Sequence, residues 1–247
     1  MNNAALRNAL GDRLGTGAAK SSVARLAATI RSLFRYLEVT EQHAANPAAI
    51  LRGPKADERL PHWLEVDDVA KLIDSIAGGT EIALRDRAIL ETLYSTACRV
   101  GELVDLADAD IAPTSGTVRL RGKGGKERLG VLGKSALRAI EAYQTVRRRI
   151  HGEGPALFVS VISGRRLSDR DVRRSLLVNA KCAGFKARIT PHTFRHSCAT
   201  HLMDNGASIR YVQEILGHAS LNTTQIYTHT STRKLVETYE KAHPRAV

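Results

Sequence analysis

Four side chains in residues 190–229 are of the types that act on a phosphodiester: His192, Arg195, His218 and Tyr227. The stretch reads TPHTFRHSCATHLMDNGASIRYVQEILGHASLNTTQIYTH. A tyrosine hydroxyl has a pKa of about 10, so ionising it at neutral pH costs roughly 4 kcal/mol and a neighbouring base must help. Arginine grips phosphate oxygens through a two-pronged fork. Singly, these signs are weak. A tyrosine is by default a core aromatic, a histidine near a helix start a surface residue, and with nine His and 37 Lys plus Arg about one H-x-x-R arises by chance.

Local signals say how these residues are held. Thr190 is a cap for a helix whose first residue is Pro191 and whose stop is Asn205–Gly206. His192 and Arg195, three apart, then share one face beside the helix N-terminus, where anions are favoured. A second helix starts after Ser208, buries Ile209, Val212, Ile215 and Leu216, and stops at Gly217, leaving His218 just beyond its end. Ser220 opens a short helix carrying Tyr227. Ser231 caps a last amphipathic helix with Leu235, Val236 and Tyr239 on one side, packed either on its own domain or on a neighbouring copy.

Upstream, the pattern is mainly helical with one small antiparallel sheet. Helices are predicted over 4–14 and from Ser21 or Ser22 to Leu37, the latter with an apolar stripe of Val23, Leu26, Ile30, Leu33, Phe34 and Leu37. Arg25, Arg31 and Arg35 lie outside that stripe, as a solvated face or as a face laid on DNA phosphates. Residues 46–61, with three prolines and a glycine, read as a linker between a domain over 1–60 and one over 61–247. Further helices are predicted over 65–76, with Val69, Leu72, Ile73 and Ile76 inward, over 84–95 with Leu90, Leu93 and Tyr94, and over 135–150. Another follows the Ser168/Asp171 capping pair, with Val172, Leu176 and Ala180 inward. Residues 116–132 carry the strand signal: Val118 and Leu120 alternate with Thr117, Arg119 and Arg121, and Leu129, Val131 and Leu132 continue past a glycine-rich tip.

Composition narrows the partner. The 247-residue chain is 43% apolar, enough for a core, and carries 37 − 25 = +12 formal charges. This favours a polyanion, nucleic acid before membrane, although a basic solvated surface has the same composition. Residues 1–60 hold nine Lys plus Arg and five Asp plus Glu, a net +4, which leaves +8 for the remainder. Cys98, Cys182 and Cys198 lack C-x-x-C spacing, so neither a disulfide framework nor a zinc ribbon is expected. No leader and no apolar run of about eighteen residues is read, so the expected location is cytoplasmic and nucleoid-associated, with no membrane partner.

STACRVGELVDL places Arg99 three residues before Glu102, and RLRGKGGKERLGVL places Lys123 in the hairpin tip. With PHTFRH, LGHASLNTTQIYTH and the closing AHPRA, these motifs resemble the phage integrase or tyrosine recombinase family, nearest its Xer type, in one order from about residue 60 onward. The resemblance implies a tyrosine recombinase catalytic domain preceded by a shortened helical core-binding domain. It also implies an enzyme that joins DNA to itself through a 3′-phosphotyrosyl link. Tyr227 would be the nucleophile, His192 its general base, Arg99 and Arg195 the phosphate clamps, His218 a further donor and Lys123 the general acid to the leaving 5′ oxygen. Glu102 would support Arg99 or be a plain solvated acid. Lys126 and Arg128 would touch backbone phosphates, and Cys98 would be core.

The implied partner is double-stranded DNA at a specific site, in a homo- or hetero-tetrameric synapse with exchange of the C-terminal tail. No cofactor and no metal is implied. The motifs fit chromosome dimer resolution, plasmid maintenance and element integration alike. Two other classes compete. His192 and His196 resemble half of a zinc site, but Thr193 replaces the glutamate of H-E-x-x-H, and Cys198 and His201 fit no standard spacing. A DNA-binding module of the same fold that has lost recombination is the other rival.

Overall fold

Asn2 accepts the Ala5 N–H at 2.9 Å and so starts the first helix, α1 (Asn3–Gly15). In the computed structural model, which describes residues 2–40, 42, 46–55, 63–122, 124–217 and 229–246, the chain divides into two compact units, Met1–Pro61 and His62–Val247. In the first unit α1 pairs with α2 (Lys20–Val39). Leu6, Leu10, Val23, Ala27 and Phe34 form its core together with Ala48 and Leu51. The α2 stripe is narrower than the apolar residues predicted: Val23, Ala27, Ile30, Phe34 and Leu37 face inward, whereas Leu26 and Leu33 are exposed. Spacings of 3 and 4 set that face, and Leu26 and Leu33 fall one position before it each time.

Residues 46–55, expected to open a linker, pack on the first unit. Ala48 and Leu51 are buried in the first unit's core, the Leu51 carbonyl accepts from Arg31 at 2.8 Å, and a Cβ on Gly53 would lie 2.9 Å from the Ala24 Cα. Prolines broke the periodicity there without freeing the backbone. Residues 56–62 lie outside the described ones.

The second unit is built on α4 (Glu81–Thr96), capped by Thr80 and buried along most of its length. Around it pack α3 (Val66–Asp74), α6 (Lys134–His151), α7 (Asp169–Cys182), α8 (Pro191–Asp204) and the sheet. Helix α5 (Val100–Asp105) follows α4 directly. The inward residues predicted on α3, α4 and α7 are all buried, and Ser168 and Asp171 cap α7 reciprocally. The sheet has three antiparallel strands in the order β1 (Ile111–Ala112), β2 (Thr117–Arg121), β3 (Glu127–Val131). Two-residue β1 is too short to show a period in the sequence.

Helix α9 (Ile209–Leu216) runs from the Ser208 cap to Gly217 at φ +59°. Ile209, predicted inward, is exposed, and Tyr211 takes the buried place. The last helix, α10 (His229–Ala242), begins before Ser231 and buries Leu235 and Tyr239 in its own unit. The Tyr211 hydroxyl donates to the Leu235 carbonyl at 3.0 Å, tying α9 to α10. The short helix expected to carry Tyr227 falls in residues 218–228, outside the described ones, and no described helix is long and apolar enough to cross a membrane.

Candidate active site

Helix α4 ends at Ala97, which adopts φ +48°, the one positive φ outside glycine among the described residues. A non-glycine residue there is strained, and strain of this kind persists only where the surroundings impose it. The turn it makes aims the Ala97 carbonyl at Arg195, which donates to it from Nη1 at 2.6 Å and from Nη2 to the Leu216 carbonyl. Arg195 thereby ties together the carbonyl ends of α4 and α9, where the helix dipoles favour a cation. It is 8% exposed, so His192, which is exposed two residues into α8, and Arg195 differ in depth although they neighbour one another on the helix.

The same turn delivers Arg99 to the N-terminus of α5. Glu102 accepts the Arg99 backbone N–H on Oε2 at 2.9 Å and its Nη1 on Oε1 at 2.8 Å. Glu102 Oε2 also accepts from Arg128 Nη2 at 2.8 Å. The acid is therefore neither solvated nor idle: it is 4% exposed and holds two guanidiniums. Burial pushes its carboxyl up, but the Arg128 charge and the hydrogen bonds from Arg99 and Arg128 outweigh that and hold it below the usual carboxylate range. Arg99 itself stays half open, its side chain 51% exposed, as a group that meets a substrate should be.

Arg128 is placed differently from the expectation that it touches backbone phosphates from the hairpin. The register pairs Arg128 with Leu120 and Gly130 with Val118, so Arg128 shares the inner face and is 9% exposed. Its Nε and Nη1 are buried without a hydrogen-bond partner among the described residues. Two guanidiniums, Arg99 and Arg128, thus meet one carboxylate, and the charge of a third, Arg195, is near enough to be felt. Arg195 records the imbalance: burial, then the charges of Arg99 and Arg128, bring its pKa down to about 10. Such a cluster is short of negative charge, and an anion entering it would offset the repulsion.

Two further expected site residues are approached from their described neighbours. A Cβ on Gly122 would lie 3.5 Å from Glu102 Oε1, and Lys123 follows in sequence. A Cβ on Gly217 would lie 2.7 Å from Arg128 Cδ, and His218 follows. Lys123, His218 and Tyr227 themselves lie outside the described residues. Lys126 is exposed in the hairpin tip, between glycines at φ +78° and +73° and strand β3. In the first unit Arg25 and Arg35 are exposed, while Arg31 is partly buried and engaged with Leu51.

Three of the four residues of the zinc alternative are buried or engaged elsewhere. His196 meets the edge of Trp63, His201 Nδ1 bonds the Tyr94 hydroxyl at 2.7 Å, and the Cys198 thiol is buried with its pKa pushed up to about 12. Sequence reasoning named Glu102 without its second arginine and missed the inward turn of Arg128. The strand register would have revealed it, once Leu120 was taken as inward.

The model of the phage integrase family matches residues 62–234. Tyrosine recombinase XerC of Pelobacter propionicus is 46% identical over 239 residues, covering 95% of this chain and 77% of the relative. Tyrosine recombinase XerD of Listeria innocua is 42% identical over 234 residues, covering 93% and 78%. Among solved structures, XerH site-specific recombinase bound to palindromic difH substrate, a post-cleavage complex, superposes with a TM-score of 0.75 at 23% identity. That match covers 97% of this chain and 72% of that one, and it shows the same fold.

Proposed function

We propose a residue-level mechanism for a chain that belongs to the phage integrase family, as a Xer-type tyrosine recombinase that cleaves and rejoins DNA strands at a specific site. Tyr227 attacks the scissile phosphorus in line, and His192 accepts its proton. Arg99 and Arg195 take the nonbridging oxygens as charge builds on them, with a further hydrogen bond from His218. Lys123 protonates the departing 5′ oxygen. One phosphorus–oxygen bond breaks as another forms, so the 3′-phosphotyrosyl link keeps the bond energy and a second strand's 5′ hydroxyl reverses the step. The proposed roles ask for no metal and no nucleotide. The observation that carries this reading is the cation-rich cluster at the α4–α5 turn: Arg99 and Arg128 on the Glu102 carboxylate with the buried Arg195 charge close by, bordered by Gly122 and Gly217.

At the scale of the assembly, the proposal is a tetramer on two copies of a DNA site, in the cytoplasm, with the first unit and the second each contributing positive charge to the duplex. Lys126, Arg25 and Arg35 are the proposed backbone contacts. Arg31 remains in that set with one of its N–H groups already held by Leu51. The test is incubation with a nicked suicide duplex bearing the recognition site. Wild type should form a denaturant-resistant protein–DNA adduct and Tyr227→Phe should form none. Nicking by the Phe variant, or a wild type that binds and never becomes linked, would overturn the mechanism and favour the binding-only alternative.

A further inference from the structure

Of the three guanidiniums at the α4–α5 turn, Arg128 has no role in the mechanism proposed above, yet it is buried and bonds the same carboxylate as Arg99. It enters from a different element, β3, and from the inner face of the sheet, opposite Leu120. Its Nη2 lies 2.8 Å from Glu102 Oε2, the same oxygen that accepts the Arg99 backbone N–H at 2.9 Å, while Oε1 takes Arg99 Nη1 at 2.8 Å. The Arg99 contacts engage both oxygens, but both come from a single residue at the start of the same helix. The Arg128 contact comes from outside that helix and anchors the carboxylate to a second element, β3. Arg99, half exposed, has no other described partner to fix its direction. The stem of Arg128 also lies against Gly217, where an added Cβ would sit 2.7 Å from Cδ and 3.0 Å from Nε. Space and the positive φ of +59° both call for glycine there.

We infer that Arg128 is a positioning residue for strand cleavage, acting through Glu102 to hold the Arg99 guanidinium in the direction in which it meets the scissile phosphate. The inference rests on the reading of Arg99 as a phosphate clamp. A lysine would keep the charge at residue 128 without the planar fork that reaches Glu102 while lying along Gly217, so charge alone should not restore the function.

The experiment measures single-turnover cleavage of a nicked suicide duplex under saturating protein, alongside duplex affinity and melting temperature, for full-length Arg128→Met and Arg128→Lys. Cleavage should fall by about 30-fold or more in Arg128→Met and by about 10-fold or more in Arg128→Lys, with affinity within about 3-fold of wild type, because the lost interaction matters in the transition state and not in binding. In a Glu102→Gln background, Arg128→Met should change the rate by less than about 3-fold, since the path through the carboxylate is already broken. Wild-type rates in either variant overturn the inference. So does an affinity that falls in step with the rate, or a loss that is undiminished in the Glu102→Gln background. Failure of both variants to fold would make Arg128 an element of the fold and overturn it as well. A wild type that forms no adduct would instead overturn the recombinase mechanism, and this inference with it.

Discussion

Glu102 shows how far a single side chain is decided by its surroundings. From spacing alone it was a partner of Arg99 or a solvated acid, and the difference lies in Arg128, which comes from another element 26 residues on. Adjacent chemistry of this kind is legible in the sequence when it falls within one helix turn, as for Arg99 with Glu102 or Thr190 with Thr193. It is not legible when a strand register supplies the second partner. The energetic consequence follows from burial. Removing the charge in Glu102→Gln leaves Arg128 buried with no counter-ion, at a cost of about 3–5 kcal/mol near neutral pH. The pH dependence has a definite sign. The folded carboxyl titrates below its ordinary value of 4.5, so the stability it contributes is complete above 4.5 and lost as pH falls through the lower folded value. Urea unfolding at pH 7 should therefore show the full gap between wild type and Glu102→Gln. The gap should begin to narrow as pH falls through 4.5. A gap of the same size throughout would mean that the carboxylate charge is not what Arg128 needs.

Elements were legible where one period dominated. The stop at Asn205–Gly206, the capping pair of α7 and the inward faces of α3 and α4 all follow from local patterns. The inward face of strand β3 did not, because the strand is covered on both sides. Leu129 and Val131 gave the alternation, but the face turned to Val118 and Leu120 carries Arg128 and Gly130. Gly130 is small there because Leu120, Val118 and Thr96 already occupy the place of a Cβ, at 3.0–3.2 Å. Helix α10 presented the opposite difficulty: its apolar side was clear and its partner was not. The structure seats it on its own unit, where the Ser95 hydroxyl meets Tyr239 Oη at 2.5 Å and the His243 ring stacks on Tyr239. Both His243 nitrogens are engaged, Nε2 with the Tyr94 carbonyl at 3.2 Å and Nδ1 accepting the Arg245 N–H at 3.1 Å, an arrangement that requires the neutral ring. Burial accordingly brings its pKa from 6.5 down to about 3. Below 6.5 the unfolded chain binds a proton that the folded one refuses, so stability is lost progressively as pH falls from 6.5 toward 3. At pH 5 His243 alone should cost about 2 kcal/mol relative to pH 7.5. Thermal unfolding across that range should show a shallower slope in His243→Gln than in wild type. Some slope should remain, since burial lowers the His201 pKa as well. Equal slopes would place the acid-sensitive group elsewhere.

Over the whole molecule, charge was the plainest signal and the least specific. The net +12 fits any polyanion, and several of the arginines are paired with acids: Arg147 with Asp108, Arg245 with Glu91, Arg128 with Glu102. Each such pair cancels in the net count, so the +12 belongs to the remaining residues, and the share each unit brings to DNA is a matter for measurement. Each phosphate neutralised by Lys or Arg adds about 0.9 to the slope of log affinity against log salt. The first unit offers Arg25 and Arg35 on the exposed side of α2, whereas Arg31 has one N–H group committed to the Leu51 carbonyl. If α2 lies on the duplex, Arg25→Ala and Arg35→Ala should each lower the slope by about 1, and Arg31→Ala should lower folding stability more than it lowers the slope. A chain that begins at residue 62 should then lose at least the sum of the two single effects while keeping a steep slope of its own from the remaining +8. Filter binding on one duplex between 50 and 200 mM salt separates the cases. Slopes that coincide for the full chain, the two arginine variants and the shorter chain would mean that the second unit alone grips the DNA backbone. The arginines of α2 would then be a solvated surface.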